Sequence, residues 1–92
     1  MTYIPWTDSP LGLIIKGMND KELNQLAKKF GEKIRAERAR TGKSQEDLAF
    51  TSGLDRTYIS GIERGIRNPS LKNIGKIAKA LQIPISRLFD LK

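Results

Sequence analysis

Apolar positions recur along this chain at helical rather than strand spacing, and polar residues stand where helices would begin. Asn19 with Glu22 has capping-box spacing, and Met18 with Leu23 has that of a hydrophobic staple. Leu23, Leu26, Ala27, Phe30, Ile34 and Thr41 then share one face, which predicts a first helix ending near Thr41–Gly42 with Gly42 as left-handed cap. Ser44 predicts a second start, with Glu46 and Asp47 in a first turn where the helix dipole favours acids. Leu48 and Ala49 carry that helix to Gly53. Asp55 caps a third, Leu54 staples to Ile59, and the helix runs to about Arg64 before stopping at Gly65. Ser70 caps a fourth with the inward stripe Leu71, Ile74, Ile77, Ala78 and Leu81. Pro84 pre-sets a fifth, from Ile85 to about Leu91, with Leu88 and Phe89 on its apolar side.

Residues 1–18 follow a different pattern. Tyr3, Ile4, Trp6, Leu11, Ile14 and Ile15 bring apolar bulk, but proline and glycine at 5, 10, 12 and 17 interrupt it. This stretch reads as an irregular N-terminal arm with room for one helical turn near residues 11–15. Residues 19–92 then form one domain. No alternating strand pattern and no internal repeat is present, so the expected fold class is all-α with five helices. At 92 residues the core must be thin.

Charge narrows the function. Lys plus Arg is 17 against 10 acids, a formal +7, which suits nucleic acid or an anionic membrane as partner. Cysteine and histidine are absent, which removes disulfides, the usual zinc ligands, Cys nucleophiles and Ser-His triads. The N-terminus lacks the basic and apolar regions of an export signal, and no run reaches the roughly 20 apolar residues of a membrane span. A soluble cytoplasmic protein without membrane, metal or cofactor is the expectation, and an enzyme is not.

Two short helices joined by a three-residue turn beginning at Gly53 describe a helix-turn-helix over about 45–64. Ala49 lies where the two helices cross, and Ile59 and Ile62 form the inward face of the second. At 100° per residue Thr57, Gly61 and Arg64 then point outward, with Tyr58 and Ser60 on the flanks. Such a small, polar and basic face suits a major groove. Gly61 costs about 1 kcal/mol against alanine in mid-helix, so a close approach of DNA or a neighbouring helix is expected there.

Gln45-x3-Ala49-x3-Gly53-Leu54-x4-Ile59-x2-Ile62-Glu63-x-Gly65 resembles the Cro and phage-repressor (xenobiotic-response-element) helix-turn-helix family. Asp55 to Arg64, with Gln45 to Ala49, is similar to the controller proteins of restriction–modification systems, small dimeric regulators that time endonuclease expression. The resemblance spans about Phe30 to Phe89 and implies a lambda-repressor-like DNA-binding domain. It places Ser44 and Gln45 on phosphate, and Arg56, Thr57, Tyr58 and Ser60 at the base edges. Arg64, Arg67 and Asn68 return to phosphate. It implies an ion pair of Arg38 with Glu63, and a dimer interface on Ile85, Leu88 and Phe89. The partners so implied are double-stranded DNA carrying a palindromic operator and a second copy of the chain.

Plainer roles stand beside these. Ser44 and Asp55 are helix caps in any case, and Lys28, Lys29, Lys33, Arg35 and Arg40 read as a solvated helix face. Tyr58 can pack on the flank of its helix instead of reading bases. An antitoxin is the alternative function: the same fold would bind DNA while the apolar arm holds a partner toxin.

Overall fold

Four helix starts carry the side-chain caps the sequence predicts in the computed structural model, which describes residue 17 and residues 19–91. The helices are α1 (Asp20–Arg40), α2 (Gln45–Ser52), α3 (Arg56–Glu63), α4 (Leu71–Leu81) and α5 (Ile85–Leu88), and no strand occurs among the described residues. Asn19 caps α1 by accepting the Glu22 N–H at 2.8 Å. At Ser44 the cap is reciprocal: its hydroxyl accepts the Asp47 N–H at 3.0 Å, and the Asp47 carboxylate accepts the Ser44 N–H at 2.9 Å. The Ser44 backbone N–H foremost, and the Ser44 side chain after it, hold the Asp47 carboxyl below its ordinary range. Asp55 and Ser70 accept from Thr57 and Asn73 in the same way. The arm apart from residue 17, and Met18 of the staple expected for α1, lie outside the described residues.

α1 packs against α3 and α5, while α2 packs against α3 and α4. Ile34, Leu48, Ile59, Ile62, Ile77, Leu81 and Leu88 are fully buried between these helices. α1 crosses α3 at Gly31, where a Cβ would overlap the carbonyl oxygen of Ile62 and come within 2.6 Å of that of Glu63. Only a residue without a side chain lets the two helices meet at that depth.

The predicted stripes extend further than the core does. Leu23 and Leu26 remain 43% and 42% exposed. At 1.5 Å per residue α1 is about 31 Å long and α3 only about 12 Å, so the first half of α1 overhangs its partner. Thr41 is exposed, and buried Glu37 continues the face of Phe30 and Ile34 instead. Leu71 is exposed at the first position of α4, whose burial begins at Ile74. The fifth helix is one turn, not seven residues: Phe89 leaves it to stack on Phe30 with ring centroids 5.4 Å apart.

Candidate nucleic-acid interface

α2 and α3 meet through the tight turn that the sequence predicts. Gly53 adopts a left-handed conformation at φ +74°, and the Leu54 N–H returns to the Ala49 carbonyl at 3.0 Å. Ala49 is buried at the crossing, and Ile59 and Ile62 anchor α3 from beneath. This leaves Arg56 and Thr57 exposed at the start of α3, with Tyr58 and Ser60 half-buried on its flanks. Gly61 departs from the expected outward face. It is buried, because the loop after α3 folds back and sets the side-chain stem of Arg67 on it. The N–H groups of Ile66 and Arg67 both donate to the Gly61 carbonyl, at 2.9 and 3.2 Å, which fixes that return.

Behind α3 lies a closed polar network. Arg38 Nε donates to Glu63 Oε2 at 2.8 Å and Nη2 to Oε1 at 3.0 Å, the paired geometry that a planar guanidinium offers a carboxylate. Arg38 Nη1 donates to the Lys43 carbonyl at 2.8 Å, and Gln45 Nε2 adds a bond to Glu63 Oε1 at 3.1 Å. The Glu63 hydrogen bond raises the Arg38 pKa above its ordinary value against the opposing effect of burial. α1, the α1–α2 loop, α2 and the end of α3 are thus joined around one carboxylate. The side chain of Gln45 is committed to this network, so what Gln45 presents outward is its backbone N–H. The first N–H groups of a helix have no partner within it and attract anions.

Arg64, Arg67 and Asn68 are exposed on the far rim of α3. Arg67 lies with its guanidinium 5.9 Å from the centre of the Tyr58 ring, and Tyr58 Oη accepts from Asn73 Nδ2 at 3.1 Å. Asn73 does not stand out in the sequence, because α4 carries no mark beyond its own apolar stripe. Glu37 does leave a signal: it is a carboxylate seven residues after Phe30, on the buried face. It accepts from Arg40 at 2.9 Å and Arg87 at 3.0 Å, with Lys33 at 3.4 Å, and so ties α5 to α1. Burial pushes its carboxyl up, but the hydrogen bonds and charges of Arg40 and Arg87 outweigh that and hold it below its ordinary value.

Of the residues expected at a dimer interface, Ile85 and Phe89 stay exposed. Leu88 does not fit that role. It is fully buried inside this chain's own core, so no apolar surface of its own is left for a partner.

A five-helix core that presents one short helix outward, flanked by basic loops, is a helix-turn-helix of DNA-binding type. A helix-turn-helix family model matches residues 34–88, and the chain belongs to that family, of Cro/C1 type, whose members are DNA-binding transcription regulators. Control protein C.BamHI of Bacillus amyloliquefaciens is 52% identical over 68 residues, covering 73% of this chain and 84% of that protein. The restriction–modification controller C.AhdI of Aeromonas hydrophila superposes with a TM-score of 0.68 at 56% identity, over 68% of this chain and 96% of that one. C.Esp1396I, solved as a tetramer on its natural 35-base-pair operator, gives 0.66 at 45% identity, over 71% and 86%.

Proposed function

We propose that this chain is a sequence-specific transcription regulator that binds a palindromic operator as a homodimer and serves as the controller of a restriction–modification system. The observation that carries the reading is the exposure of Arg56 and Thr57 at the start of an α3 held rigidly from behind by Arg38, Glu63 and Gln45. Arg56 reads a guanine, because its fork can donate to O6 and N7 together. Thr57, Tyr58 and Ser60 read beside it. Ser44, the first N–H groups of α2, Arg64, Arg67 and Asn68 face phosphate, and the +7 charge supplies salt-sensitive affinity. Ile85 and Phe89, without Leu88, supply the apolar face for the second copy. The relatives support this reading, since C.Esp1396I occupies its operator as an oligomer. Such a protein acts in the compartment that holds the DNA.

Selection from random duplexes, with sedimentation of the free and bound protein, tests the proposal. The expected outcome is an enriched inverted repeat whose half-site centres lie about 34 Å apart, bound by two chains. Arg56→Ala should weaken the selected duplex by about 1–3 kcal/mol and leave a scrambled one nearly unchanged. Failure to enrich any sequence would overturn the function, and a monomer on the selected site would overturn the dimer.

A further inference from the structure

The tyrosine on the flank of α3 is gripped from outside its own helix. Tyr58 Oη accepts a hydrogen bond from Asn73 Nδ2 at 3.1 Å, so α4 holds the tip of the ring. Arg67 covers the ring face at 5.9 Å, close enough for attraction between the cation and the aromatic quadrupole. The stem of Arg67 reaches that place because it lies on Gly61, where a Cβ would overlap its Cγ and come within 3.4 Å of its Cβ. Gly61 therefore serves as a seat for Arg67, which accounts for a glycine in the last turn of a short helix despite its cost there.

We propose that Gly61, Arg67 and Asn73 form a brace that sets the orientation of Tyr58 and thereby its part in base recognition, with Asn73 and Arg67 as positioning residues. This rests on the reading of α3 as the DNA-reading helix. A phenol is both donor and acceptor. With a lone pair of Oη engaged by Asn73, its proton is left to donate outward, and the partner it selects is an acceptor on a base edge: N7 or O6 of guanine, N7 of adenine, or O4 of thymine. Holding the ring before DNA arrives removes the entropic cost of ordering it in the complex. Arg67 then acts on sequence choice through Tyr58, beyond any contact it makes with phosphate.

The test compares the wild-type chain with Tyr58→Phe, Asn73→Ala, the double variant and Gly61→Ala, each on the selected duplex and on a scrambled one. Tyr58→Phe and Asn73→Ala should each lower the preference for the selected duplex about fivefold, the scale of one hydrogen bond, while affinity for the scrambled duplex stays within about twofold. The double variant should be no worse than Tyr58→Phe, because both changes break the same link. Gly61→Ala removes no polar group and improves helix propensity. Its Cβ would overlap the Arg67 Cγ, so it should lose preference because Arg67 is dislodged, with circular dichroism showing that the chain still folds. In the free protein, Tyr58→Phe should shift the NMR signals of the Asn73 side-chain amide. Additive losses, equal weakening on both duplexes, an unmoved amide signal or undiminished preference in Gly61→Ala would each overturn the brace. A wild-type chain that prefers neither duplex would instead overturn the reading of α3, and the proposed part of Tyr58 in recognition with it.

Discussion

Glu63 and Glu37 are both buried carboxylates facing arginines, yet they hold different parts of the molecule in different ways. Glu63 meets Arg38 in a paired geometry with the arginine side chain only 15% exposed, and Gln45 and the Lys43 carbonyl complete the set. Glu37 gathers Lys33, Arg40 and Arg87, and the two arginines remain 50% and 47% exposed. The first is a closed network beneath the reading helix. The second is a half-open cluster that pins α5. A buried pair is expensive to break because the partner left behind has lost its water, whereas exposed partners are rehydrated and screened by salt. The polar ties are therefore firmest under α3, whereas the polar tie of the C-terminal helix, Arg87 to Glu37, is one that salt can weaken.

Three variants bear on this contrast. Glu63→Gln should have the largest effect, lowering the unfolding free energy in urea by about 3 kcal/mol, since Arg38 is left as a poorly compensated buried charge. An unchanged value would remove the distinction between the two sites. Glu37→Gln should cost about 1–2 kcal/mol at low salt, and the loss should shrink in about 1 M salt, where the Debye length falls to about 3 Å. Its pH dependence has a definite sign. The folded pKa of Glu37 lies below the ordinary 4.5, so its stabilisation is complete above that value and is lost as pH falls through the lower folded one. Melting curves taken into acid should accordingly show a shallower decline in Glu37→Gln than in the wild-type chain. Gln45→Ala should be mildest, about 1 kcal/mol for one hydrogen bond, because the Arg38–Glu63 pair survives it. A loss as large as that of Glu63→Gln would show that the network acts as a single unit.

The sequence by itself determined what depends on local chemistry. Asn19, Ser44, Asp55 and Ser70 marked helix starts because a side-chain oxygen three residues or fewer ahead of a free N–H acts within one turn. Gly42, Gly53 and Gly65 marked the stops, and all three adopt left-handed backbone. The helix-turn-helix followed from those signals and from the inward Ile59 and Ile62. Periodicity alone could not say how far each stripe is covered. That depends on the length of the facing helix, and so the tertiary structure decided that Leu23, Leu26 and Leu71 stay exposed while Leu88 is consumed by the chain's own core. It also decided the long-range polar partners. Asn73 lies 15 residues from Tyr58, and Arg87 lies 50 from Glu37. No local pattern encodes such meetings, because they arise only when packing brings separate helices together. The same holds for Gly61: its place in the sequence suggested a close approach, and only the fold showed that the approaching group is the side chain of Arg67.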